Sequence, residues 1–335
     1  MTGFELYLKR NAKKFETYLA TFFSNGTHAD MRRYLYGPVA EFTRNAGKRH
    51  RPLICLLACE AVGGDPERAR PSAAAIEHFH TAALIHDDIE DSSLTRRDEP
   101  CLHVVEGEGL AINAGDLALS LVCGTVVDDP GLDDATKLRV LGELVAMTTR
   151  TIEGQALDIG WARDDRFDLS VEDYLVMATH KTAYYSGGVP LAVGAIIGSG
   201  TEAQISALRE FGMAAGLAFQ IQDDVLNLVG TREATKKDFR SDITEGKRTL
   251  VSIHALQHAE DPARLLDILS SRTTDTAELD EAVAIMESAG SVAFANDYAR
   301  SLVLDAKELL ESELPSSGAK KLLLSMADFF IKRSS

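Results

Sequence analysis

Cysteine, proline and tryptophan are scarce in this chain. Its 335 residues include four cysteines, nine prolines and one tryptophan. Cys55 and Cys59 sit one helical turn apart in an apolar stretch and read as free buried thiols. With only Cys101 and Cys123 besides, a zinc site lacks ligands, and the usage suits a reducing, cytoplasmic setting. No tract rich in Ser, Gly or Pro marks a linker, no long block of like charge marks a tail, and no fixed period marks a repeat. A single domain over residues 1–335 is therefore expected, although length alone would suggest about two. The start, Met1 to Arg10, is not a signal peptide, and the most apolar run, Val189 to Ile197, is too short to span a bilayer, so no transmembrane segment is expected. Basic residues are outnumbered, 35 against 51 acids, and the net charge of -16 disfavours nucleic acid as a partner. Convincing strand alternation is missing too, so the fold class is all-α.

Carboxylates are present in abundance, and they are placed. Asp87, Asp88, Glu90 and Asp91 close an apolar helical run that ends Ala82-Ala83-Leu84-Ile85-His86. At helical spacing Asp87 and Asp91 share a face and Asp88 flanks them. Carboxylates that close repel one another unless a cation compensates. A solvated acidic helix end is the plain alternative, and a second copy downstream argues against it. There Phe219-Gln220-Ile221-Gln222 runs into Asp223 and Asp224, with Asn227 three residues on. Two such helices facing each other in a bundle would aim their acids into one cleft. Oxygen ligands without Cys or His suit magnesium.

Cations punctuate the rest. Gly47-Lys48-Arg49-His50-Arg51-Pro52 crowds positive charge at a helix start, which is unfavourable without an anion. It reads as a diphosphate seat or a solvated basic loop, with Arg51 the planar fork and Lys48 the point charge. His80 lies seven residues before Asp87, on nearly the same face. Arg96 and Arg97 follow the acids closely and either neutralise them or bind the anion those acids reach through metal. Residues 110–127 and 135–160 read as core helices, the second carrying polar Glu153, Gln155 and Asp158. Lys181 and Thr182 precede Gly187, Gly188 and Pro190, which imply a kink. A dense charged loop runs from Lys236 to Thr249.

These motifs, in this order over residues 35–260, resemble the trans-isoprenyl diphosphate synthases of the polyprenyl synthetase family. The resemblance implies an isoprenoid-synthase-like helical bundle, usually homodimeric, around a deep central cavity. It implies head-to-tail condensation of isopentenyl diphosphate with an allylic diphosphate. By that analogy Asp87, Asp88, Asp91 and Asp223 hold Mg2+ on the allylic diphosphate and Asp224 supports that shell. Arg96, Lys181 and Lys247 contact the same diphosphate, while Lys48, Arg51, His80 and Arg97 hold isopentenyl diphosphate. Thr182 and Gln220 line the reacting carbons. Two departures stand out. Asn227 replaces the Asp of many relatives, and Thr235-Lys236-Lys237 lacks the usual glycine, so Lys237 is the substrate-binding candidate with Lys236 as its rival. A class I terpene cyclase would have no use for the second diphosphate seat, and a noncatalytic synthase subunit would be expected to lose acids that are intact here.

Product length follows from helix geometry. Relative to Asp87, Ala83, Phe79 and Ile76 lie at about -40°, -80° and -20° around the helix. Ala82 and Ala83 leave the first turn open, and Phe79, about 12 Å back, is the first large side chain that could stop a tail. The expected product is geranylgeranyl diphosphate, with farnesyl or a longer prenyl diphosphate as the alternative.

Overall fold

The computed structural model describes residues 2–23, 26–45, 47–230 and 239–331. It is all-α, apart from a two-residue hairpin, Thr95–Arg96 paired antiparallel with Glu99–Pro100, that the sequence pattern did not reveal. The chain divides into two compact units.

The first unit comprises Met1–Thr148, Val189–Leu208 and Leu314–Ser325. It opens on the helix Gly3–Leu19, started by a capping box in which Thr2 and Glu5 satisfy each other's backbone N–H groups. Its Phe4, Leu8, Phe15 and Leu19 are buried in the bundle, as their spacing predicts. The first acid helix, Arg70–Glu90, packs on Glu108–Val127 and on His50–Ala61, and His50–Ala61 packs in turn on Val189–Ile197. Ile54, Leu57, Ile76, Phe79 and Ile85 lie in this core. Cys55, Cys59 and Cys101 are buried thiols outside any disulfide, and Cys123 is an exposed one.

The second unit comprises Thr149–Gly188, Arg209–Glu313 and Met326–Ser335. The helix Val171–Ala178, opened by a Ser170–Asp173 capping box, runs straight into a π-helix, Thr179–Gly188. This wider winding stands where Gly187, Gly188 and Pro190 suggested a kink. π-Helical turns are rare and gather at functional sites. The second acid helix, Glu202–Val229, enters this unit at Arg209. Gly187 and Gly212 bring the π-helix and the second acid helix into backbone contact that a Cβ on either would block. Leu250–His258 packs against Val171–Ala178 and Ser291–Glu313.

Two helices read as core are core on one side only. Glu108–Val127 buries Ala111, Ala114 and Ala118 yet exposes Ile112 and Val127. It is also, at 20 residues and mean hydropathy 1.7, long and apolar enough by length and composition to cross a membrane, which the sequence reading overlooked. The helix Asp134–Arg163 exposes Leu138, Val145, Ile152 and Ile159.

Candidate active site

Asp87 and Asp88 lie in the last turn of the first acid helix, and Asp91 caps it with its N–H on the Asp87 carbonyl. Three acids at a helix C-terminus oppose its dipole and need positive charge nearby. The hairpin supplies it. Arg96 Nε donates to Asp88 Oδ1 at 2.6 Å, and its Nη2 donates to Asp87 Oδ2 at 3.0 Å. Arg97 and Asp98 both take left-handed φ, the backbone of a tight two-residue hairpin turn. Arg97 consequently departs from Arg96 and donates to the Asn45 carbonyl at 3.2 Å, its guanidinium lying against Gly47 of the basic turn. Of the two roles open to this pair, Arg96 takes neutralisation and Arg97 joins the cations. Burial raises the Asp88 pKa against the pull of Arg96. Its Oδ2 is buried with no partner in hydrogen-bond geometry, though the Cys101 thiol acts on the carboxyl.

The basic turn divides its labour. Arg49 has φ +53° and points inward, donating to Glu77 Oε1 at 2.6 Å and to the Thr43 carbonyl. The Arg49–Glu77 pair is almost wholly buried, at 1% and 3% side-chain exposure, so Arg49 is an anchor and not a ligand-facing cation. Arg51 Nη1 meets His80 Nε2 at 3.1 Å. Burial, with Arg51 beside it, pushes His80 well below the ordinary histidine range, so the ring is neutral and accepts from Arg51. Lys48 is exposed, and its charge reaches Glu5. Burial together with Arg96, Arg49 and Arg51 lowers the Arg97 pKa. So many cations, some of them desolvated, make a seat for an anion.

In the second unit, Lys181 and Thr182 sit in the π-helix. Gly154 lets the helix Asp134–Arg163 approach so closely that a Cβ there would strike the Lys181 backbone. One turn further on, Asp158 pairs with Lys181 Nζ. Burial pushes Asp158 up, but Lys181, backed by Lys247 and Arg248, holds it below the usual carboxylate range. Lys247 also pairs with Glu245 at 2.7 Å. Arg248 is buried over the Phe167 ring, 3.9 Å from its centroid, and donates to the Arg166 carbonyl at 2.7 Å, which fixes the loop that carries Lys247. Thr182 Oγ1 donates to Gln220 Oε1, Gln220 Nε2 donates to Asp224 Oδ1, and Tyr174 donates its hydroxyl to Asp224 Oδ2, each at 2.7 Å. Burial raises Asp224 to about 7, and burial beside Asp224 holds Asp242 well above the usual carboxylate range. Asp223 is half-buried next to them.

The structure thus brings together Arg51 with His80, Arg96 with Asp87 and Asp88, and Thr182 with Gln220 and Asp224. Asn227 is recast: its Nδ2 donates to Ser241 Oγ at 3.1 Å and its Oδ1 accepts from the Asp242 N–H at 3.2 Å, so it fastens the charged loop. Lys236 and Lys237 lie outside the described residues. Sequence reading missed Arg49 with Glu77, Tyr174, and Arg248 with Phe167. Asp158 it noticed only as a polar residue on an apolar helix, which was the available signal for a partner of Lys181.

Among the described residues, no three His, Cys, Asp or Glu side chains already converge as a metal cage. The donor chemistry nevertheless fits a hard cation. In the first unit Asp87, Asp88 and Asp91 offer oxygen alone, and Asp88 Oδ2 is buried with the Cys101 thiol acting on its carboxyl. In the second unit Asp223 offers oxygen too, and magnesium takes its remaining ligands from water and phosphate.

Residues 32–286 match the polyprenyl synthetase family. The chain belongs to that family. Its relatives agree along most of its length. The short chain isoprenyl diphosphate synthase of Methanothermobacter thermautotrophicus is 42% identical over 289 residues, 86% of either chain. The geranylgeranyl diphosphate synthase of Saccharolobus solfataricus is 34% identical over 291 residues, again 86% of each. In three dimensions, this polyprenyl synthetase superposes on a geranylgeranyl pyrophosphate synthetase from Pyrococcus horikoshii with a TM-score of 0.91, at 34% identity and 98% coverage of both chains. It is a prenyltransferase that elongates isoprenyl diphosphate chains.

Proposed function

We propose that this polyprenyl synthetase makes geranylgeranyl diphosphate with magnesium, as a homodimer in the cytoplasm, the whole chain 1–335 serving as one functional domain. The observation that carries the reading is the pair of distinct cation sets, one for each diphosphate. Arg51, His80 and Arg97, with Lys48 at the rim, suit isopentenyl diphosphate. Lys181 and Lys247 suit the leaving diphosphate of the allylic partner. Asp87, Asp88, Asp91 and Asp223 would hold magnesium, which when bound neutralises that leaving group. Breaking the allylic C–O bond separates positive carbon from diphosphate, and fixed charges that need no reorganisation favour that separation. On this reading Thr182 and Gln220, hydrogen-bonded to each other, line the reacting carbons. The isopentenyl double bond then attacks, which requires only that it be held close and aligned.

Ala82 and Ala83 are small and lie about one turn before the acids, and buried Phe79 lies about two turns before Asp87 on the same helix. That spacing supports a geranylgeranyl tail. Support for the dimer comes from Leu138, Val145, Ile152 and Ile159, which recur every seven residues along one face of Asp134–Arg163 at 38% to 71% exposure. A second copy of the same helix is the natural cover for such a stripe. The deciding experiment supplies isopentenyl diphosphate, each allylic primer in turn, and magnesium, then reads the products by mass spectrometry. A dominant twenty-carbon diphosphate supports the reading. A dominant fifteen- or twenty-five-carbon product overturns the chain length, and no product at all overturns the activity.

A further inference from the structure

The two ends of a glutamine amide are nearly the same shape, so packing alone cannot choose which end faces where, and hydrogen-bond partners must decide. At Gln220 the choice is made by an acid on its own helix. Asp224, one turn on, accepts from Gln220 Nε2 through Oδ1 at 2.7 Å. The amide oxygen is thereby turned away from the carboxyl and accepts from Thr182 Oγ1 at 2.7 Å. The other oxygen of Asp224 accepts from the Tyr174 hydroxyl, also at 2.7 Å, and Tyr174 is fully buried on Val171–Ala178. With both oxygens engaged, the carboxyl cannot rotate to another partner.

We propose that Tyr174 is a positioning residue for prenyl transfer: by holding Asp224 it fixes the Gln220 amide with its oxygen toward Thr182. The inference rests on the reading above that Thr182 and Gln220 line the reacting carbons. The negative end of the amide dipole is then held in place before positive charge develops on carbon, and stabilises that charge without reorganising. An amide free to flip would offer its N–H groups for part of the time, and the cation would be opposed.

The test is a double-mutant cycle on the purified chain with magnesium and both diphosphates. Tyr174→Phe removes one oxygen and little volume. It lowers kcat about tenfold, with KM for both diphosphates within about twofold of the unaltered chain and the thermal midpoint little moved. In a Gln220→Ala background the same change alters kcat less than twofold, because the residue through which Tyr174 acts is gone. Multiplicative losses in the double variant, or an unchanged kcat in Tyr174→Phe, overturn the proposal while leaving the activity standing; an unaltered chain that makes no prenyl product overturns both. Should Tyr174→Phe fold poorly, the unaltered protein decides. The Gln220 side-chain NH2 resonance, assigned by its loss in Gln220→Ala, exchanges slowly with solvent if the chain of bonds holds, and rapid exchange overturns it.

Discussion

At position 49 the backbone turns left-handed and sends Arg49 into the core, while Arg51, two residues on, meets His80. Neighbouring cations of the same type, both buried, thus meet different partners. If the proposed seats are right, replacing Arg51 by alanine removes charge-assisted donors from one diphosphate only, and such bonds contribute roughly 1.5–3 kcal/mol. Arg51→Ala therefore raises KM for isopentenyl diphosphate by about tenfold or more, and Lys247→Ala does the same for the allylic substrate. Steady-state kinetics with each substrate varied in turn will show it, and a crossed pattern refutes the assignment of seats. His78 obeys another rule. Neither of its ring nitrogens has a hydrogen-bond partner, it packs edge-on against Phe22 and Phe23, and burial drives its pKa down to about 3. A folded pKa below the unfolded one means that its neutral form stabilises the fold above the ordinary histidine value of 6.5. That stability is lost as pH falls from there toward 3, because the unfolded chain takes up the proton first. The slope is about 1.4 kcal/mol per pH unit, or about 2 kcal/mol between pH 7 and pH 5. Urea unfolding at those two pH values should show a smaller difference for His78→Leu than for the unaltered chain, and an equal difference would exclude His78 as the proton acceptor.

Among the elements, Arg70–Glu90 carries Glu77, Phe79, His80, Asp87 and Asp88 on one rigid rod. On the proposed reading, product length is a property of that rod. Ala83→Phe should shorten the dominant product, and Phe79→Ala should lengthen it, as read by mass spectrometry after dephosphorylation; unchanged products in both would move the floor to another helix. Much of this element was legible beforehand, since apolar periodicity and an acid cluster both speak in local spacing. The helical class, both acid motifs and the basic turn were legible for the same reason. What escaped were features set by distant partners. Nothing near Arg49 announces Glu77, 28 residues away, and nothing near Tyr174 announces Asp224. The π-helix escaped because the glycines that permit it also permit a simple kink. The hairpin escaped because two residues are too few to show alternation.

For the whole molecule, the stripe along Asp134–Arg163 is where soluble surface and interior patterning disagree. Leu138, Val145, Ile152 and Ile159 cost solvation wherever they meet water, and a partner copy removes that cost. Stable interfaces bury about 1,200 Å² or more, which a helix of this length and its neighbours can supply. Analytical ultracentrifugation should find a dimer for the unaltered chain and a monomer for the paired change Val145→Glu and Ile152→Glu. A monomeric unaltered chain would sink the dimer.

The arginine lying on Asp87 and Asp88 has a consequence for the order of events after synthesis. Because Arg96 already balances two of the clustered acids, the polypeptide can reach its final shape before any divalent ion arrives. Magnesium shortage would then act on rate and leave the amount of folded protein unchanged. Stripping the ion with a chelator should abolish turnover, leave the thermal midpoint within a few degrees, and be fully reversed when magnesium is returned. Loss of helical circular dichroism on chelation would show instead that the ion is part of the scaffold. On the proposed reading, supply of the cation sets the rate of prenyl transfer while the amount of folded enzyme stays the same.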